Sequence, residues 1–136
     1  MTTIFEKIIA GEIPCHKVAE DEHTLVFMDI NPASKGHMLV VPKRGGADVL
    51  DTDPEAVAAV ARMAQRMAQL VERVLNPDGI NILQNSRLAA GQTVMYYHVH
   101  VIPRWDDDKL VRWWQPGATD HATLNALAAE LRAAAE

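Results

Sequence analysis

Two histidines separated by a single residue stand in the stretch Tyr96-Tyr97-His98-Val99-His100-Val101-Ile102-Pro103-Arg104. At the period of two that a strand imposes, Tyr96, His98 and His100 share one face, and Tyr97, Val99 and Val101 take the other. Two imidazoles on one surface admit three readings. They can be hydrogen-bonded sheet residues with no chemical task. They can ligate a metal, which calls for a third and usually a fourth ligand, and His16, His23, His37 and His121 stand at no telling spacing. Or one neutral imidazole can attack as a nucleophile while its neighbour donates hydrogen bonds to an anion. Just upstream, Gly91-Gln92-Thr93-Val94 brings a flexible backbone, a side-chain amide and a hydroxyl. These uncharged donors suit phosphate oxygens, and they equally suit an ordinary hairpin entrance.

The elements that must hold these residues follow from patterning. Short apolar runs at His16 to Ala19, Leu25 to Ile30 and His37 to Val41 are separated by turn-forming residues, which predicts three meander strands. Asp51-Thr52-Asp53-Pro54 then opens a long helix whose stripe is Val57, Val60, Met63, Met67, Val71 and Val74, with Arg62, Gln65, Arg66 and Glu72 at other angles. Asn76-Pro77-Asp78-Gly79 ends it. Ile80 to Gln84 and Val94 to Ile102 predict two further strands, with pairing expected to stop at Pro103. Phe5 to Ala10 and Asp120 to Ala135 predict short terminal helices. The connections before the long helix are too short for crossovers, so the expected class is α+β: an antiparallel meander sheet of about five strands with one long helix packed on it.

Composition narrows the functions. A chain of 136 residues has material for one core, so a single domain over 1–136 is expected. Thirteen Lys and Arg against 18 Asp and Glu, a net charge of −5, supply nucleic-acid binding poorly. The lone Cys15 and the charged N-terminal stretch predict a reducing, cytoplasmic setting, and no apolar run approaches a membrane span. Trp105, Trp113 and Trp114 crowd into the last third of a chain with few aromatics.

Five segments together resemble the histidine triad (HIT) superfamily, in its Hint-like branch. They are Ile4 to Pro14, Phe27-Met28-Asp29-Ile30-Asn31-Pro32, Gly36 to Lys43, Asn81-Ile82-Leu83-Gln84-Asn85, and Gly91-Gln92 through Arg104. The resemblance implies a homodimeric HIT-like fold that binds purine nucleotides such as AMP or GMP conjugates. It implies cleavage at the α-phosphate, as in an adenosine 5'-phosphoramidate, through a nucleotidyl-histidine. On that reading His98 is the nucleophile, His100 steadies the phosphate oxygens, and Thr93 assists the leaving group. The first triad histidine is replaced by Tyr96, whose backbone carbonyl remains to orient His98. Asp29 is expected to take the ribose hydroxyls, Phe5, Ile8, Phe27 and Ile30 to clamp the base, and Asn85, Gly91, Gln92, Thr93 and Val94 to line the phosphate site. His37 stands behind the triad, and Trp113 or Trp114 is expected to reach the partner subunit's site.

The scheme calls for no cofactor. Some members of the family carry a structural zinc, but the corresponding positions here are Thr3, Glu6, Gly45 and Tyr96, so no zinc is expected. Two alternatives stand beside the phosphoramidase reading: a dinucleoside polyphosphate hydrolase using the same His98, and a binding module silenced by the change at Tyr96.

Overall fold

The computed structural model describes residues 2–111 and 114–135. Helix α1 (Ile4–Ile9) is only six residues long and depends on its start. Thr3 caps it, its hydroxyl accepting from the Glu6 amide while the Glu6 carboxylate accepts from the Thr3 amide. Strands β1 (Lys17–Glu20), β2 (Thr24–Met28) and β3 (Met38–Pro42) form the expected meander. Helix α2 (Pro54–Leu75) starts where Asp53 accepts from the Glu55 amide, and it stops at Asn76, which adopts the left-handed conformation at φ 51°.

The remaining elements are β4 (Gly79–Leu83), β5 (Val99–Arg104) and α3 (His121–Ala134), the last capped by Asp120. The sheet is antiparallel with strand order β1-β2-β3-β5-β4, so β5 returns into the gap between β3 and β4 and becomes a central strand. The fold is therefore the expected α+β class.

The period of two sorts the sheet into faces. Val26, Met38, Val40, Val99 and Val101 meet Val60, Met63, Ala64, Met67 and Val71 of α2 in one cluster. Leu25, Phe27, Leu39, Val41 and Tyr96 turn the other way and gather under Phe5 of α1. His100 shares this second face, as it pairs with Leu39 on β3 and Leu83 on β4. The helix stripe holds except at its end: Val74 is 69% exposed, and Leu75, four residues beyond Val71, packs on the cluster instead.

Two strand expectations need correcting. The last strand begins at Val99 rather than Val94. The β4 pairing ends at Leu83 opposite His100, and Tyr97 gives its amide to Gly46 O at 2.9 Å rather than to β3. Pairing also does not stop at Pro103. The β3 ladder ends at Val101, but the β4 ladder continues through Arg104, so Pro103 lies buried inside β5. With no β3 partner beyond Val101, its missing N–H costs no rung there, and its ring packs where Gly36 has no side chain.

Candidate active site

His98 sits on the last residue before β5, at the junction of a loop and a central strand. Its Nδ1 lies 2.6 Å from Tyr96 O. A carbonyl can only accept, so Nδ1 carries the proton and Nε2 of the neutral ring keeps its lone pair. Phe5 meets the ring edge-on at 5.0 Å and 87°, fixing its plane. Among the described residues Nε2 has no partner and no fully buried side-chain nitrogen or oxygen lacks one, so Nε2 reaches the surface although the residue is 4% exposed. Burial holds the imidazole below its ordinary pKa, against the pull of Tyr96 O and Asp29. The result is an oriented, neutral imidazole with the lone pair that a nucleophile requires.

His100 lies beside it, with ring centroids 5.0 Å apart. Its proton position is set from behind. The Ala33 amide donates to His37 Nδ1 at 2.9 Å, so neutral His37 carries its proton on Nε2. That atom is 2.9 Å from His100 Nδ1, which must accept. The remaining proton of His100 is then on Nε2, which leaves that atom a donor. Burial lowers the pKa of His100 to about 4, helped by His98 and His37, and burial lowers that of His37 too. All three rings are neutral near pH 7.

The carboxylate of Asp29 accepts from the Asn31 amide at 2.8 Å and approaches His37 Nε2 at 3.5 Å. Asp29, His37 and His100 place one ligand atom each within 4.8 Å of one another, close enough for a metal on distance alone. The Ala33 amide argues against that use. A metal needs a bare Nε2 on His37, and moving the proton to Nδ1 would set two N–H groups face to face.

The loop before His98 is organised by Gln92, which is 1% exposed. Its Oε1 accepts from the Arg87 amide at 2.6 Å, and its Nε2 donates to Ala47 O at 2.6 Å and Val94 O at 3.1 Å. Both amide hydrogens are thus committed inside the protein, and the side chain holds the loop rather than offering donors to an anion. Thr93 is exposed, and the amides of Thr93 and Val94 have no protein acceptor among the described residues. Gly91 has φ +98°, and the Asn85 amide lies against it. Of the apolar residues, Phe5 and Phe27 are buried and in edge contact at 5.5 Å, Ile8 packs beside them, and Ile30 is 76% exposed at the rim.

Several contributors escape sequence reasoning. Nothing in the residue type of Ala33 marks its amide as the donor that orders two histidines. The phenol of Tyr96, which donates to Pro42 O at 2.6 Å, is equally silent, although Gly45-Gly46 hints at a close approach. Trp114 is 81% exposed and lines a groove of about 470 Å³ with Asn81, Leu83, Ile102 and Arg104, on the same face as His100. Trp113 lies outside the described residues.

The zinc positions do not fit a zinc ion. The Thr3 hydroxyl and the Glu6 carboxylate are engaged with each other and with the backbone at the start of α1. Gly45 has no side chain, and the Tyr96 phenol, a neutral oxygen, is occupied by Pro42.

Comparison with known proteins gives this geometry a context. The family model described as HIT domain matches residues 10–107. The adenosine 5'-monophosphoramidase hnt1 of Schizosaccharomyces pombe is 38% identical over 79% of this chain and 78% of its own length. The adenylylsulfatase HINT3 of Arabidopsis thaliana is 38% identical over 79% of this chain and 54% of its own. Among solved structures, a HIT family protein from Bacillus subtilis superposes with a TM-score of 0.90 at 35% identity, covering 97% of this chain and 96% of that one.

Proposed function

Since this chain belongs to the HIT domain family, we propose that it cleaves purine nucleotide conjugates at the α-phosphate through a nucleotidyl intermediate on His98. The observation that carries this is the His98 ring itself: Nδ1 held by Tyr96 O at 2.6 Å, Nε2 unprotonated and free, and a pKa below the ordinary value. Nε2 attacks phosphorus and forms the N–P bond. The bond to the leaving group breaks, and a departing amine takes up a proton from solvent water, which the hydrolytic step returns when the attacking water loses one. Water then breaks the N–P bond, giving the nucleoside monophosphate and restoring His98. In this reading His100, kept neutral with its proton on Nε2, donates to the oxygens on which charge grows.

In this reading Phe5, Ile8 and Phe27, which pack in one cluster, clamp the base together with the exposed Ile30, and Asp29, 3.5 Å from His37, accepts from the ribose hydroxyls. The amides of Thr93 and Val94, with Asn85 across from Gly91, face the phosphate in this reading. The leaving group extends over His100 toward the groove that ends at Trp114. A homodimer, a single domain over the whole chain, and an adenosine 5'-phosphoramidate as the type of substrate belong to the same proposal. A named phosphoramidase and a named adenylylsulfatase at equal identity agree on the nucleotide half and differ in the leaving group.

The test is to incubate the protein with adenosine 5'-phosphoramidate, quench in acid, and map an adenylyl adduct by mass spectrometry. The adduct is expected on His98, and His98→Gly should lose turnover by on the order of 10³- to 10⁶-fold while still binding AMP. Turnover by His98→Gly near that of wild type would refute the assignment. Parallel assays with a diadenosine polyphosphate and an adenylyl sulfate rank the leaving groups.

A further inference from the structure

The segment that carries His98 is stapled to the end of β3 and the residues that follow it by three hydrogen bonds. Gln92 Nε2 donates to Ala47 O at 2.6 Å, the Tyr97 amide donates to Gly46 O at 2.9 Å, and the Tyr96 hydroxyl donates to Pro42 O at 2.6 Å. Tyr96 differs from the other two because its own carbonyl receives the His98 Nδ1–H. One residue therefore joins the rigid end of β3 to the reactive imidazole: the phenol grips Pro42, and the peptide on the same Cα sets the ring.

This arrangement requires a glycine. A Cβ at residue 45 would stand 2.7 Å from Pro42 Cγ and 3.2 Å from Tyr96 Cζ, so the phenol occupies space that only Gly45 leaves open. The ring is 4% exposed, and burial pushes its pKa up to about 12, which keeps the hydroxyl a donor throughout any working range.

We propose that Tyr96 is a positioning residue whose tether to Pro42, made possible by Gly45, fixes the carbonyl that aligns His98. A histidine at position 96 would then serve this protein less well than the tyrosine. The motif alone argues the opposite, since Tyr96→His would complete a triad of histidines. An imidazole is shorter than a phenol. It would leave Pro42 O without its donor and open a void over Gly45, and the loop would lose the strut that holds its peptide plane. The inference rests on the His98 reading above.

The experiment compares wild type, Tyr96→Phe and Tyr96→His in kcat and KM for adenosine 5'-phosphoramidate, with the ring nitrogen shifts of His98 read by 15N NMR. Tyr96→Phe preserves shape and packing, so it carries the test even if Tyr96→His folds poorly. Both variants are expected to lose about 10- to 100-fold in kcat with KM within about twofold of wild type. The His98 spectrum should move from one Nδ1–H tautomer toward a mixture. Tyr96→His turning over as fast as wild type or faster overturns the proposal. So does Tyr96→Phe with wild-type kcat and an unmixed tautomer. Failure of the underlying reading would look different, because wild type itself would then form no adduct on His98.

Discussion

Replacing Gln92 with Met tests the loop's anchor while leaving His98, His100 and Asp29 in place. The side chain is 1% exposed and makes three hydrogen bonds, to the Arg87 amide and to the carbonyls of Ala47 and Val94. Methionine fills nearly the same volume and makes none of them. A buried partner left unpaired costs about 1–3 kcal/mol. Residues 47 and 87 are exposed and 94 half-buried, so water can reach part of the vacated space and the lower end applies. Three partners at about 1 kcal/mol each give a loss of about 3 kcal/mol. For a chain of this size that corresponds to a fall of about 10–15 °C in Tm and about 1.5 M in the urea midpoint.

Urea titration followed by far-UV circular dichroism, at matched m-values, measures it. Gln92→Glu should be worse than Gln92→Met, because a carboxylate would face two carbonyl oxygens in a buried site. A loss below about 1 kcal/mol for Gln92→Met would show that the three bonds do not hold the loop.

Other outcomes follow from the same geometry. Asp29→Ala should raise KM for a ribonucleotide substrate by about 10- to 100-fold and affect the 2',3'-dideoxy analogue much less. Equal losses for both sugars would remove Asp29 from ribose recognition. His37, His98 and His100 are held below the ordinary imidazole value of 6.5 by burial, His100 to about 4. The unfolded chain therefore takes up protons in that interval which the native state refuses. Their contribution to stability is complete above pH 6.5 and drains away as pH falls toward 4, read as a declining urea midpoint. Through the upper part of the same interval kcat/KM should stay flat, because His98 remains uncharged; a rate that falls with an apparent pKa near 6.5 would refute the neutral-nucleophile argument. Metal analysis of protein purified without an affinity tag should find no stoichiometric zinc, and one zinc per chain would overturn the misfit seen at Thr3, Glu6, Gly45 and Tyr96.

Helix α2 was legible because its signals are local: Asp53 and Pro54 at one end, Asn76 at the other, and an apolar stripe between them. Only Val74 misleads, since the last turn can present either it or Leu75 to the sheet. The faces of β2 and β3 follow from alternation alone. The position of β5 does not, because nothing in Val99 to Arg104 states that it will pass β4 and settle beside β3. Its late start at Val99 depends on where β4 stops and where Gly46 lies, which are tertiary facts. At the site, residue types pointed to His98 and His100, but the assignment of their protons depends on Ala33, a residue whose only contribution is a backbone amide. Gln92 misled for a related reason. A side-chain amide beside a glycine is a good anion donor in sequence, and only the packing reveals that its hydrogens are already spent.

Helix α3 differs from the other helices and strands described above in that every one of its residues is exposed, and Leu124, Leu127 and Leu131 are all about half or more exposed. A helix of 14 residues that starts at the Asp120 cap and buries none of its side chains among the described residues lies near the limit of what water tolerates. Its peptide hydrogens should therefore trade with deuterium far sooner than those of α2, and the ratio of the two rates gives a direct reading of how much the sheet contributes to holding a helix wound.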